Sequence, residues 1–380
     1  MSNTDRIGNQ ALVAGGAGLA VTAAGIAIAG KDQFFRSYLL GFVYVFGIAF
    51  GCLAVQMIHA LTGGRWGMAV RRILIASSTT LPLLALLFLP LLAGLPSLYP
   101  WARPEAAHDA MLVRKAVYLN VPGFIVRALV LFALWSVLAM AAYNRALKSG
   151  LDKPPNAKLR VLAGPGLLLC AISMTIAAID WLMSLEPHWS STMFSAIVMV
   201  GQLLSAIAFV VTIRLLLPPF GSSADGSSRR ERETEPPIDA LHDLGNLLLV
   251  FVMLWAYFSY SQYLIMYAGN IAEDVPYFAW RSNNGWQHLS LALIVLHFGV
   301  PFLLLVSRHS KRRPKILRAI ALFILVMRLV ENYWVIGPNF HHDGFTASFL
   351  DLAAPIGIGG VWLWFFLKRL GRKELAEAAA

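Results

Sequence analysis

Five charged side chains lie within long apolar stretches of this 380-residue sequence, and they are the first place to look for chemistry. They are Arg127, Asp180, Arg328, Glu331 and Asp351. A charged side chain at the centre of a membrane costs roughly 2.5–3.5 kcal/mol on insertion scales, so such residues are functional candidates. They could carry protons or line the site of a quinone headgroup. The alternative interpretation is structural, with ion pairs that only fix helix packing.

The positions of these charges along their apolar stretches indicate which of them meet. Arg127 lies about a third of the way along one stretch, and Asp180 lies near the end of the next, so both are expected at similar depth. We therefore predict a buried Arg127–Asp180 ion pair. Arg328 and Glu331 are three residues apart, which places them on one face of a helix. Asp351 begins the following stretch at a depth comparable to that of Glu331.

Three uncharged candidates add to this set. His297 sits near the middle of its apolar stretch, where it could join a proton path or be a buried structural histidine. Tyr260 and Tyr263 belong to a stripe of tyrosines at helical spacing. Their hydroxyls could relay protons or line a cavity, but packing or an interfacial aromatic belt would explain the stripe equally.

The residues that bind redox cofactors are scarce. With Cys52 and Cys170 as its two cysteines and no CxxCH motif, the sequence predicts neither a covalent haem nor an iron–sulfur cluster held by this chain alone. His297 has no histidine partner at matching depth for a b-type haem. The cluster His341-His342-Asp343 lacks further ligands for a metal. We expect no intrinsic cofactor.

The elements that position these residues are predicted to be membrane-spanning helices. The chain is 58% hydrophobic and 13% charged, against about 25% charged in soluble domains, and its mean hydropathy is +0.65. Its apolar stretches are continuous rather than alternating, which favours an all-α polytopic membrane protein over a barrel. Only Arg6 precedes the first stretch, and Asp5 offsets it, which disfavours a cleaved signal peptide. The ten predicted spans are 11–29, 38–60, 72–95, 120–145, 160–184, 191–216, 243–268, 286–307, 315–337 and 348–367.

The net charge of +11 follows the predicted topology. On one side, the two termini and the loops after even-numbered spans hold 23 basic residues, whereas the opposite loops hold 6. This bias predicts both termini in the cytoplasm, with the basic residues contacting lipid headgroups rather than nucleic acid. The polar stretch 221–240 is predicted to be a flexible cytoplasmic linker between spans 1–6, in residues 1–220, and spans 7–10, in residues 241–380.

Four strings along the chain resemble one protein family. They are YLNVPGFIVR entering the fourth span, DWLMSLEPHWSSTMF across the fifth and sixth, FSYSQYLIMYAGNI in the seventh, and ENYWVIGP closing the ninth. These strings are similar to the NrfD-like membrane subunits of bacterial alternative complex III, a quinol:cytochrome c/electron acceptor oxidoreductase. Within that complex the chain resembles the ActF-type subunit, called quinone-binding subunit 2, more than the longer ActC-type sister.

The resemblance implies a fold, a location and partners. The fold would be ten helices in two four-helix bundles of the polysulfide-reductase type, spans 2–5 within residues 38–184 and spans 6–9, with the first and last helices peripheral. The chain would lie in the bacterial inner membrane and use menaquinone or ubiquinone. Its partners would be the sister subunit, an iron–sulfur subunit, pentahaem and monohaem cytochromes c and small membrane subunits, with a terminal oxidase as a further candidate.

The resemblance also implies which residues belong to the family's motifs. They are Arg127 in the first string, Asp180, Glu186 and His188 in the second, and Glu331 in the fourth. The implied role is that of a subunit without a redox centre, which contributes to quinol oxidation by assembly and a proton path.

Two other functions remain open from the sequence. One is a structural anchor for peripheral cytochromes. The other is an independent secondary transporter, which would have helices broken by glycine or proline at paired positions in its two halves. Pro82 and Pro90 interrupt the third span, but the seventh span has no counterpart, which disfavours a transporter.

Overall fold

A computed structural model describes residues 3–151, 153–216, 238–272, 274–371 and 375. Within these residues every regular element is a helix, which confirms the all-α prediction. Residues 221–237 of the predicted linker lie outside the described residues. The remaining three, 238–240, already belong to a helix, so the linker prediction extended too far at this end.

Twelve helices build the described part of the fold, and short helices at Leu95–Leu98, Ala110–Lys115 and Arg308–Arg312 lie in their connections. Within the described residues, nine helices are long and apolar enough to cross a membrane, or ten if the bent pair α3–α4 forms one span. This count fits a polytopic membrane protein. The helices are α1 (Asn3–Ala24), α2 (Ile26–Thr62), α3 (Arg65–Ser78), α4 (Leu81–Ala93), α5 (Val121–Ser149), α6 (Ala157–Trp181), α7 (Thr192–Leu216), α8 (Ile238–Gly269), α9 (Val275–Arg281), α10 (Trp286–Val306), α11 (Pro314–Ile336) and α12 (Leu350–Leu370).

The predicted span 72–95 is divided, because α3 and α4 meet at a bend of 42°. At the bend, the hydroxyls of Thr79 and Thr80 donate to backbone carbonyls one turn earlier, at 2.9 and 2.6 Å. Pro82 lies in the first turn of α4, where backbone N–H groups have no acceptor within the helix, so its missing N–H costs no hydrogen bond. Hydropathy alone predicted one span here, because the last part of α3 and all of α4 form one mainly apolar stretch.

The boundary between the first two spans also differs from the prediction. The first helix ends at Ala24 rather than at residue 29, and α2 begins at Ile26. A kink at Gly30, with φ of +82°, separates the start of α2 from its long apolar part. Glycine adopts this backbone conformation without the steric strain that a side chain adds.

The centre of the fold is α2, of whose apolar window 94% is buried. It is apolar all round, as expected of a helix surrounded by others, and packs against α3, α4, α6, α7, α11 and α12. At each end of the molecule, hydrogen bonds between residues distant in sequence hold the interhelical segments in place. At one end, here called the basic end, Arg71 donates to Lys153 O at 2.6 Å. At the other, here called the opposite end, Lys115 donates to Pro187 O and Trp286 to His341 O.

Helices α1 and α12 pack against each other through glycines on both sides. A Cβ atom added at Gly15 would lie 2.6 Å from Val361 N, and one at Gly360 would lie 2.6 Å from Ala11 O. Gly18 and Gly357 make equally close backbone approaches. Small residues at regular spacing let membrane helices pack backbone to backbone.

This packing predicts unequal effects at two neighbouring glycines. Gly15→Leu should lower stability by about 1–3 kcal/mol, because the side chain must push α12 away. Gly16→Leu is the matched control, since a Cβ there meets nothing within 4 Å. Thermal unfolding of the two variants in detergent tests the contact. Equal melting temperatures would contradict it.

Candidate functional site

The first buried ion pair joins α5 to α6. Arg127 Nε lies 2.7 Å from Asp180 Oδ2, and its Nη2 donates to Oδ1 at 3.1 Å. This two-bond geometry is the strong form of an arginine–carboxylate contact. The Asp180 side chain is 1% exposed and that of Arg127 is 21% exposed, so the predicted pair forms with one partner fully buried. The Arg127 guanidinium also stacks on the ring of Tyr118 at 4.0 Å.

Beside this pair, aromatic rings fill the interior between α2, α4, α5 and α6. Trp181 follows Asp180 directly and is 2% exposed. Its ring centroid lies 5.0–5.9 Å from five others, which belong to Phe42, Phe46, Phe88, Phe132 and Trp135. Rings packed at these separations attract one another beyond their burial. The interior between these four helices is therefore filled by aromatic rings.

The second ion pair lies on α11, where Arg328 contacts Glu331 one turn later, as their spacing predicted. Both residues are buried. Trp255 of α8 donates its indole N–H to Glu331 Oε1 at 2.7 Å. Arg328 Nε donates to Ser205 Oγ of α7 at 3.1 Å. The pair therefore ties together α7, α8 and α11.

His297 joins this group through Trp255, whose ring centroid lies 4.2 Å from that of the imidazole. It sits in a π-helical segment of α10, Leu293–Gly299, and is fully buried. Both ring nitrogens lack a hydrogen-bond partner among the described residues. Single π-helical turns inside α-helices occur frequently at functional sites.

Glu331 lines two cavities. The larger, of about 760 Å³, lies between α8, α9, α10 and α11, and Trp255, Tyr260, Tyr263 and Trp334 are among its lining residues. The smaller, of about 20 Å³, can hold one water molecule. Its polar lining includes Tyr44, Gln202, Ser205, Arg328 and Asn332. The second ion pair thus stands between a large aromatic cavity and a small one that carries several polar side chains.

Gly201 makes room for the Arg328 guanidinium on α7. A Cβ atom at position 201 would lie 2.2 Å from Arg328 Nη2 and 2.4 Å from Cζ. Helical spacing does not predict this role, because the two residues are 127 positions apart. Trp255 was also missed, since one tryptophan in an apolar helix resembles any other.

The remaining candidates lie elsewhere. Asp351 accepts from Ser37 Oγ at 2.6 Å and from Gln33 Nε2 at 3.1 Å, which joins α12 to α2. Tyr260 and Tyr263 are 63% and 45% exposed on the outside of α8, beside the larger cavity. No group of three or more His, Cys, Asp or Glu side chains able to hold a metal occurs in the described part of the chain.

His188 and Glu186 belong to the loops of the opposite end. His188 Nε2 lies 3.0 Å from Asp109 Oδ2. The backbone N–H groups of Leu112 and Met111, together with His188, lower the pKa of Asp109. Burial raises the pKa of Glu186, and the charge of Arg281 opposes this shift. Glu186 is thus coupled to Arg281, which lines the larger cavity together with Glu331.

Comparison with known proteins found no family model that matches the chain, and no curated protein that matches it. The function is therefore inferred from the geometry above and from the resemblance in the four strings.

The close contact between Gly201 and the Arg328 guanidinium gives a testable prediction. Gly201→Ala should displace the guanidinium and lower stability by about 1–3 kcal/mol, because a buried charged group then loses its hydrogen bonds. Gly164→Ala on α6 is the matched control, since a Cβ there meets nothing within 4 Å and alanine favours a helix. Chemical denaturation in detergent compares the two variants. A Gly201→Ala protein as stable as the control would contradict the contact.

Proposed function

We propose that this chain is an ActF-type, NrfD-like membrane subunit of a quinol-oxidising complex. It carries no redox centre and contributes by assembling the complex and by moving protons through the Arg328–Glu331 pair. The observation that carries this proposal is the position of Glu331, a buried carboxylate that lines both a large apolar cavity and a small one with several polar side chains. The chain would span a bacterial inner membrane with both termini in the cytoplasm, as the basic bias predicts.

The surroundings of Glu331 suit a group that exchanges a proton. Ionisable residues inside membrane helices commonly form proton relays. Arg328 and Trp255 stabilise the carboxylate when it is charged. When Glu331 is protonated, Ser205 still accepts from Arg328. The small polar cavity gives a water molecule access to this pair.

The two halves of the chain support a division of roles. Helices α2–α6 would form the first bundle, and α7, α8, α10 and α11 the second. Each half carries one arginine–carboxylate pair, Arg127–Asp180 and Arg328–Glu331, with the carboxylates four spans apart. The Tyr118 ring lies over Arg127 of the first pair, whereas Glu331 of the second pair lines two cavities. We assign structural support to the first pair and proton transfer to the second.

The electrons released by quinol oxidation require acceptors in partner subunits. Oxidation of a quinol releases electrons as well as protons, and two cysteines cannot ligate an iron–sulfur cluster alone. The resemblance implies that haems c and iron–sulfur clusters of partner subunits take the electrons. It also implies that menaquinol or ubiquinol is oxidised mainly at the sister subunit.

A structural anchor is the second candidate function. The loops of the opposite end are held by bonds such as Lys115 Nζ to Pro187 O, at 2.5 Å, and Trp286 Nε1 to His341 O, at 3.0 Å. A rigid loop surface of this kind suits docking of peripheral cytochromes. A transporter is less well supported, because the bend between α3 and α4 has no counterpart in the continuous helix α8.

Substitution of Glu331 in the assembled complex separates the proton path from the anchor. Glu331→Gln keeps an oxygen for Trp255 but removes the charge that pairs with Arg328, so it should lower stability. In the complexes that assemble, it should lower the number of protons released per quinol by about tenfold or more. Proton release per quinol oxidised, measured in proteoliposomes, is the readout. Glu105→Gln, on the exposed opposite-end loop, is the matched control. Unchanged proton release in Glu331→Gln would contradict the proton path and favour the anchor.

A further inference from the structure

The larger cavity opens sideways, toward the membrane. Tyr260 of α8 and Ile294 of α10 line it and are 63% and 61% exposed. Phe278, Leu293 and Phe298 make much of the remaining lining apolar. The volume of about 760 Å³ lies within the range of about 300–1,000 Å³ that ligand cavities occupy. A lateral opening and an apolar wall suit a long hydrocarbon chain.

Arg281 lines the same cavity but differs from the other lining residues in its charge. It is the last residue of α9, in the connection between α8 and α10 at the opposite end. That position places it near the boundary of the predicted membrane rather than at its centre. Its side chain is nonetheless 1% exposed. The sequence predicted an ordinary loop residue here.

The hydrogen bonds of Arg281 go to neutral oxygens. Nη1 donates to Tyr277 O at 2.8 Å, and Nη2 donates to Val335 O at 2.9 Å and to Asn339 Oδ1 at 3.3 Å. Nε is buried without a hydrogen-bond partner among the described residues. The guanidinium also lies over the rings of Tyr277, at 3.7 Å, and Trp334, at 5.3 Å.

The charge of Arg281 is therefore incompletely compensated. Burial lowers its pKa, and the charge of Glu186 acts in the opposite direction. Still, no carboxylate forms an ion pair with Arg281 in the part of the chain that the structure describes. An arginine does not lose its proton in proteins, and a buried charge without a paired charge is costly. An anion brought by a ligand would complete the site.

We propose that this cavity binds an anionic phospholipid, whose phosphate lies against Arg281 and whose acyl chain follows the wall between α8 and α10. Arginine matches phosphate oxygens with its planar fork of N–H donors. The bilayer supplies such lipids at the lateral opening, and basic pockets between membrane helices bind their headgroups. This inference does not depend on quinol oxidation. The acyl chain would also cover the larger cavity beside Glu331 and shield the second ion pair from the membrane.

Lipid binding can be measured on the purified full chain. After exchange into detergent, phosphatidylglycerol or phosphatidylcholine is added, and bound lipid is counted by native mass spectrometry. We expect phosphatidylglycerol to bind about tenfold more tightly, because both lipids carry a phosphate but the choline ammonium of phosphatidylcholine opposes its attraction to Arg281. Arg281→Gln should abolish this preference. Arg114→Gln, an exposed arginine at the same end, is the matched control and should keep it.

Arg281 also donates a hydrogen bond to Val335 O, so Arg281→Gln could disturb the fold as well as the lipid site. A second variant keeps the test valid if that protein fails to fold. Ser259→Trp places a large ring in the cavity without removing any bond of Arg281, and it should abolish lipid retention in a folded protein. Equal binding of the two lipids, or retention unaffected by Ser259→Trp, would overturn the proposal. Displacement of the lipid by inorganic phosphate alone, or by a short-chain quinone, would also overturn it. None of these outcomes depends on proton release by the assembled complex.

Discussion

The second half of this structure depends on how one ion pair is kept inside an apolar helix bundle. Arg328 and Glu331 are one turn apart, so α11 alone brings them together. Taking both charges out of water is costly, and their attraction offsets that cost only when further hydrogen bonds satisfy the pair. Ser205 and Trp255 supply those partners from α7 and α8. The pair thus fixes the packing of three helices, and Gly201 allows α7 to approach it.

The two halves of the chain place similar chemistry in different surroundings. In the first half, the rings that contact Trp181 fill the space between the helices, and the Arg127–Asp180 pair joins α5 to α6. Around Glu331, the aromatic residues line space instead of filling it. His297 of the π-helical segment packs against one of them, Trp255. The cavities beside Glu331 give this carboxylate room to exchange protons or approach ligands.

Much of this arrangement could be predicted from the sequence, because it follows local rules. The lengths of the apolar stretches predicted the number and approximate position of the long helices. The spacing of three residues predicted that Arg328 and Glu331 share one helix face. Other features arise from contacts between distant residues, which periodicity does not contain. Trp255 meets Glu331 across 76 positions, and Gly201 meets Arg328 across the helix interface. Arg281 was assigned to a loop because α9 has only seven residues, too few for a hydropathy signal.

The most direct test of a proton-exchanging Glu331 is the infrared difference spectrum of the assembled complex during quinol turnover. Protonated carboxylic acids absorb in a carbonyl region separate from that of the backbone amides. The account predicts a turnover-dependent band in this region that disappears in the Glu331→Gln variant and persists in the Asp180→Asn variant. A band that persists without Glu331, or that disappears with Asp180 instead, would contradict it.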